Sequence, residues 1–144
     1  MSRKIDPALI PPFPTLQYEM EAWRKGHLVV AGLDEAGRGA LAGPLCAAAV
    51  VLPAEQSDIE EKLFGVRDSK QMSILEREQW SRKIMEVASD FAIAWVEAEE
   101  IDQLGMARAG KLVFERAIAD LKNRPNFLLL DYFKLPQVSI SQTC

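Results

Sequence analysis

The chain has 144 residues, of which 49% are hydrophobic and 26% charged, and its formal net charge is −4. These values are typical of one folded domain, and they exclude a disordered or low-complexity chain. No apolar run approaches the roughly 20 residues that a membrane span requires, so we expect no membrane partner.

Histidine and cysteine are scarce in this chain. A single histidine, His27, excludes most zinc sites, and two cysteines, Cys46 and Cys144, are too few for a disulfide framework. A bound metal would therefore need oxygen ligands, which indicates Mg²⁺ or Mn²⁺. Free thiols and an N-terminus without a signal-like apolar stretch favour a reducing, cytoplasmic location.

The first third of the chain predicts an arm, a short helix and a pair of strands. Residues 1–14 contain four prolines and predict an arm, and apolar residues at helical spacing predict a helix over residues 15–25. Short apolar runs at 28–33 and 45–52 predict two neighbouring strands. The Gly-Arg-Gly segment at 37–39 predicts a turn between them.

The rest of the chain predicts helices followed by further strands. Ser73 and Glu76 form a capping-box sequence that opens a predicted helix. The remaining predicted elements are a strand over 91–96, one long helix over 101–122, a strand over 127–130 and the start of another over 137–144. This order indicates an α/β fold, with residues 27–144 as one domain behind an N-terminal unit of residues 1–26.

Three carboxylates, Asp34, Glu35 and Asp131, end or follow these apolar runs. Such acids commonly cap turns, and they also suit a metal site, because a divalent cation offsets the repulsion between neighbouring carboxylates. In a regular strand Asp34 and Glu35 point to opposite faces, so a shared metal requires the strand to bend at Glu35. Gly37 makes such a bend plausible.

Two segments offer phosphate contacts. The turn Gly37-Arg38-Gly39 serves the chain reversal alone, or it lets backbone groups approach a phosphate or sugar while Arg38 binds phosphate. Lys70, just before the capped helix, is either a solvated lead-in residue or a phosphate contact. The residues alone leave these alternatives open.

Taken together, these segments resemble the motifs of bacterial and archaeal ribonuclease HII. Residues 32–39 (Gly-Leu-Asp-Glu-Ala-Gly-Arg-Gly) with Ala-Gly-Pro at 42–44 resemble its first signature. Asp-Ser-Lys at 68–70 resembles the second motif, and Glu-Ile-Asp at 100–102 the third. The segment from Leu-Leu-Asp at 129 to Leu-Pro at 136 resembles the fourth, in the same order.

The resemblance, which covers the chain from about residue 27, implies a ribonuclease H-like fold in which helices flank a mixed sheet. It implies a metal-dependent endonuclease that acts on RNA in RNA–DNA hybrids and on ribonucleotides embedded in duplex DNA. Cleavage 5′ of the ribonucleotide would leave a 3′-hydroxyl and a 5′-phosphate. Asp34, Glu35 and Asp131 would be catalytic metal ligands, a role that suits two-metal phosphodiester hydrolysis.

The resemblance also implies how substrate is recognised. Gly37, Arg38 and Gly39 would sense the 2′-hydroxyl at the RNA–DNA junction, since RNA is distinguished from DNA through that group. Lys70 would contact a backbone phosphate.

The family site has a further aspartate and a tyrosine that follow the motif around Asp131. We therefore expect this sequence to be the first two thirds of such an enzyme, with the C-terminal part missing, weak or no activity of its own, and a tendency to self-associate. The alternative is a catalytically silent nucleic-acid-binding fragment of the same fold.

Overall fold

A computed structural model describes residues 13–40, 42–131 and 134–143. The arm predicted over residues 1–14 therefore lies almost entirely outside the described residues. The elements are, in chain order, α1 (Gln17–Arg24), β1 (Val30–Ala36), β2 (Leu45–Val51), α2 (Ile59–Lys62), a 3₁₀ turn (Ser69–Gln71), α3 (Ile74–Val87), β3 (Asp90–Val96), α4 (Ala98–Leu104), α5 (Met106–Ala119), β4 (Phe127–Leu130) and β5 (Ser141–Thr143).

The described strands form one mixed sheet in the order β3-β2-β1-β4-β5. β1 and β2 form an antiparallel hairpin and β2 also pairs antiparallel with β3, whereas β4 is parallel to both β1 and β5. The chain crosses from β3 to β4, on the far side of β1, through α4 and α5. The predicted α/β architecture with a mixed sheet and flanking helices is confirmed.

The core lies between α5 and one face of the sheet. Alternate strand residues point toward this helix, and many of them are alanine, including Ala47, Ala49 and Ala94. Small side chains let α5 approach the sheet closely, and Phe114 and Val113 fill the remaining space. The alanine-rich pattern of β2 and β3 therefore sets how closely α5 packs on the sheet.

The opposite face of β3 is open. Phe91, Ile93 and Trp95 are 40%, 47% and 51% exposed, although the continuous apolar run predicted a buried strand. An apolar groove of about 280 Å³ separates this face from α3, which has no buried residue. β3 is thus buried on one face only, and an apolar run in the sequence does not distinguish these two situations.

The long helix predicted over residues 101–122 is two helices. Gly105, with φ +77°, separates α4 from α5, because this left-handed conformation cannot continue a right-handed helix. Its amide donates to the carbonyl of Ile101 and closes α4. The capping box at Ser73 and Glu76 is present as predicted.

The end of the described chain is organised by one side chain. The Gln142 Oε1 atom accepts from the Leu135 amide at 2.6 Å, and its Nε2 atom donates to the Leu135 and Val138 carbonyls. These bonds hold a turn, so that only Ser141–Thr143 of the predicted 137–144 segment is strand, and Cys144 lies outside the described residues. Among the helices of the described ranges, none is long and apolar enough to cross a membrane.

Candidate functional site

Two carboxylates come together where the parallel pairing of β1 with β4 ends. These strands are parallel neighbours, and the last residues paired between them are Leu33 and Leu130. Both leucines are buried, at 5% and 7% exposure, so the next residues, Asp34 and Asp131, turn away from the core. Asp34 and Asp131 therefore occupy adjacent, exposed positions just beyond the last residues that pair β1 with β4.

Glu35 has different surroundings. The pairing of β1 with β2 continues unbroken through Glu35 and Ala36, so β1 has no bulge at Glu35, although Asp34 and Glu35 both line the cleft described below. The predicted strand end at the acids is therefore wrong, because the hairpin partner extends β1 past both of them. Glu35 Oε1 instead accepts from Arg38 Nη1 at 3.1 Å, while Asp34 Oδ1 accepts from the Glu35 amide at 2.8 Å.

The turn after β1 depends on one of its two glycines. The Ala40 amide donates to the Gly37 carbonyl at 3.1 Å and closes the predicted turn. Gly37 has φ +101°, and a Cβ there would lie 2.7 Å from the Pro44 carbonyl oxygen. Gly39 has ordinary backbone angles and open space around its Cα. Only Gly37 is required by the backbone, whereas Gly39 keeps the loop surface open.

Lys70 lies on the 3₁₀ turn that precedes α3. The Asp68 side chain caps this turn, since its Oδ1 atom accepts from the Lys70 amide at 2.9 Å. Lys70 itself is exposed. The segment is thus shaped by local hydrogen bonds and presents a lysine toward the end of β1.

One cleft of about 1030 Å³ joins these parts. Arg67, Asp68 and Ser69, from the segment that leads into α3, line this cleft. All of the predicted site residues line it as well: Asp34, Glu35, Gly37, Arg38, Gly39, Lys70 and Asp131. Arg77 on α3 donates hydrogen bonds to backbone carbonyls of the segment that bears Lys70. The sequence did not predict this role, because nothing in the spacing of Arg77 distinguishes it from a solvated helix arginine.

The charge of the cleft bears on what it can bind. Four carboxylates and three cationic side chains line it, so its formal charge is negative. A polyanion such as nucleic acid is repelled by this balance, and one divalent cation reverses the sign. The cleft therefore suits a cation and a phosphate together better than a phosphate alone.

The carboxylates fit a hydrated divalent cation. Within the described ranges, no group of three or more His, Cys, Asp or Glu side chains is placed to hold a metal ion. Mg²⁺ is usually bound by one or two carboxylates, with waters and substrate phosphates completing its shell. Asp34 and Asp131 offer two such carboxylates, and the ligand roles of Asp34, Glu35 and Asp131 all stay predictions.

Comparison with known proteins identifies the family. A sequence model of ribonuclease HII matches residues 31–142. The chain belongs to the ribonuclease HII family. It is 48% identical over 118 residues to a ribonuclease HII from Thermus thermophilus, and the match covers 82% of this chain and 54% of that protein. The resemblance stated from the sequence motifs is confirmed.

Solved structures share the fold. The ribonuclease H2 of Pyrococcus horikoshii OT3 is similar with a TM-score of 0.60 and 32% identity, over 70% of this chain and 48% of that one. Bst-RNase HIII in complex with Mn²⁺ has the same fold, with a TM-score of 0.58 and 23% identity over 78% of this chain and 39% of that one. The chain spans about half the length of the curated ribonuclease HII relatives it matches.

Proposed function

We propose that this chain carries the cation-binding and substrate-sensing part of a ribonuclease HII active site. The proposed substrates are RNA in RNA–DNA hybrids and ribonucleotides embedded in duplex DNA. Cleavage takes place 5′ of the ribonucleotide and leaves a 3′-hydroxyl and a 5′-phosphate. The proposed cofactor is Mg²⁺ or Mn²⁺, in keeping with the oxygen ligands that the cleft offers.

One observation carries the proposal. A single cleft joins the carboxylates of β1 and β4 to the glycine turn and to Lys70. A phosphodiesterase needs both a place for a cation and cationic groups for the flanking phosphates, and these residues supply both from separate segments. Membership of the family supports the reaction class.

The acids have distinct proposed roles. Asp34 and Asp131 hold the cation through their carboxylate oxygens, and Glu35 is proposed as a third ligand once Arg38 releases it. When bound, a divalent cation polarises the phosphodiester and lowers the pKa of water. Because both aspartates adjoin paired strands, their positions are fixed before substrate arrives.

The turn and the lysine are proposed to recognise the substrate. The open surface at Gly39 lets a sugar approach the backbone, whose polar groups can bond a 2′-hydroxyl that DNA lacks. Arg38 and Lys70 contact phosphates on either side of that sugar. The turn supplies selectivity for RNA, and the two cationic residues supply affinity.

The test is cleavage of a labelled DNA duplex that carries one ribonucleotide, with MgCl₂ or MnCl₂. Because this chain is expected to be weakly active on its own, we expect slow, cation-dependent cuts 5′ of the ribonucleotide at high protein concentration, none in EDTA, and none in an all-DNA duplex. Asp34→Asn should lower the rate by about three powers of ten or more. The matched control is Asp102→Asn, because Asp102 is an exposed acid on α4 that lies outside the cleft. This variant should keep the wild-type rate.

The alternative, a nucleic-acid-binding fragment without activity, is favoured by the lack of a three-ligand acidic group in the described part of the chain. Cation-dependent binding of the ribonucleotide-containing duplex with no cleavage at any protein concentration would establish it. Cleavage that survives Asp34→Asn would refute both the alternative and the role assigned to Asp34.

The proposal also covers the cellular location of the chain and its association with copies of itself. We propose a cytoplasmic location and self-association through Phe91, Ile93 and Trp95, the exposed apolar row on β3. Sedimentation velocity should show a concentration-dependent dimer that Ile93→Lys abolishes. A wild-type chain that stays monomeric over the same concentrations would refute self-association.

A further inference from the structure

The lead-in segment that bears Lys70 is held by a residue outside the cleft. Arg77 lies in the first turns of α3, and its Nη1 atom donates to the Met72 carbonyl at 2.8 Å and to the Ser69 carbonyl at 3.3 Å. These two carbonyls lie on either side of Lys70 in the sequence. We infer that Arg77 is a positioning residue that fixes Lys70 beside the carboxylates.

The segment has little stability of its own. Its 3₁₀ turn is three residues long, and such short turns make poor hydrogen bonds. The Asp68 side chain bonds the Lys70 amide, and the Gln71 amide donates to the Asp68 carbonyl at 2.9 Å, but both bonds are local. The hydrogen bonds from Arg77 come from outside the turn and join it to α3, a 14-residue helix.

A second tie supports the same frame. Arg67 Nη2 donates to Glu76 Oε1 at 2.9 Å, while Glu76 Oε2 accepts from the Ser73 amide at 2.8 Å. Glu76 is therefore the capping-box acid of α3 and also the ion-pair partner of Arg67, which begins the segment. Arg67 and Arg77 together fasten both ends of the segment to the start of α3.

Arg77 has a different role from Lys70. Its guanidinium is directed at backbone carbonyls, and it does not line the cleft, whereas Lys70 does. A guanidinium bound to carbonyls keeps its positive charge near the turn but leaves the phosphate contact to the lysine. Loss of Arg77 should thus act through the position of Lys70.

The inference rests on the proposed function only where it gives Lys70 a phosphate contact. The binding test uses a labelled all-DNA duplex with MgCl₂, because a phosphate contact does not require a ribonucleotide. Arg77→Met removes the donors and keeps a long helix-compatible side chain. Arg82→Met, an exposed arginine further along α3, removes the same charge and is the matched control.

A double-mutant cycle separates position from charge. Lys70→Ala should weaken binding about threefold to tenfold and lower the salt slope by about one. In the Arg77→Met background, Lys70→Ala should have less than about a twofold effect, because the lysine is already misplaced. In the Arg82→Met background, Lys70→Ala should keep its full effect.

Hydrogen exchange tests the hold without nucleic acid. The amides of Lys70, Gln71 and Met72 should exchange about tenfold faster in Arg77→Met than in Arg82→Met. Unchanged exchange, or full additivity with Lys70→Ala, would overturn the inference. Faster exchange combined with no effect of Lys70→Ala on binding would establish the hold by Arg77 and refute the phosphate contact of the proposed function.

Discussion

Asp34 and Asp131, which are far apart in the sequence, occupy adjacent positions where the parallel pairing of β1 with β4 ends. The pairing of Leu33 with Leu130 fixes this arrangement, because the two aspartates are the next residues along each strand. Their carboxylates are thereby set on a rigid part of the sheet. The long crossover through α4 and α5 is what allows an acid from the hairpin to meet one from the later strand.

The arrangement predicts an inversion in the effect of Asp34→Asn on DNA binding. The cleft is negative without a cation, so in EDTA the variant should bind a DNA duplex about twofold to fivefold more tightly than wild type. In MgCl₂ the variant should bind more weakly, because it has lost a cation ligand. Fluorescence anisotropy at low salt measures both. Asp102→Asn, with the same change of charge, should show no inversion, and an equal inversion there would contradict the assignment.

The pair of Glu35 and Arg38 predicts a gain in cation affinity. Arg38 forms an ion pair with Glu35, the carboxylate that the family resemblance makes a metal ligand. Arg38→Ala should free Glu35 and raise Mn²⁺ affinity about twofold to fivefold, the range expected for a partly exposed ion pair. Titration calorimetry without nucleic acid measures this affinity. Lys70→Ala removes a similar charge from the same cleft without freeing Glu35. Equal gains in both variants would show that Glu35 does not bind the cation.

The two glycines of the turn should respond differently to alanine. Gly37→Ala places a Cβ against the Pro44 carbonyl and forces a left-handed φ, so it should lower the free energy of unfolding by about 1–3 kcal/mol. Gly39→Ala meets no atom and should stay within about 0.5 kcal/mol of wild type. Urea denaturation measures both. Similar losses in the two variants would mean that the turn has another geometry in solution.

The pair of Glu100 and Arg116 predicts a loss of stability in acid. Two hydrogen bonds from the Arg116 guanidinium, at 2.7 and 2.9 Å, are the main reason that the pKa of Glu100 falls from 4.5 to about 2. Because folding lowers this pKa, the ionised form stabilises the fold above pH 4.5 and that contribution is lost as pH falls toward 2. Urea midpoints over this range should fall for wild type and change less for Glu100→Gln. Parallel curves for the two proteins would refute the contribution.

Several parts of this site could be predicted because each lies in a short sequence segment, although the segments are far apart in the chain. The apolar runs predicted the strands, and the Ser73 and Glu76 capping box predicted the start of α3. The adjacency of Asp34 and Asp131 follows from the fold that the ribonuclease HII resemblance implies, in which their strands are parallel neighbours, and β1 and β4 do pair in parallel. The motifs then supplied the roles that the physics alone left open.

Other features depend on partners that the sequence does not identify. β1 continues past Asp34 and Glu35 because β2 pairs with it through Ala36. Glycine lowers helix stability only moderately, so the sequence did not exclude one continuous helix through Gly105. Gly105 adopts a positive φ in the structure, and the helix is broken there. The role of Arg77 follows from the carbonyls it meets, and no residue spacing predicts such a contact.

The most direct test of this account is to locate a bound cation by anomalous diffraction from crystals of this chain grown with MnCl₂. We predict a Mn²⁺ peak between the carboxylates of Asp34 and Asp131, within about 2.0–2.4 Å of an oxygen from each. In Asp131→Asn the peak should weaken or vanish, and in Asp102→Asn it should remain. A Mn²⁺ ion bound elsewhere with these two carboxylates unliganded, or carboxylates too far apart to share an ion, would contradict the account.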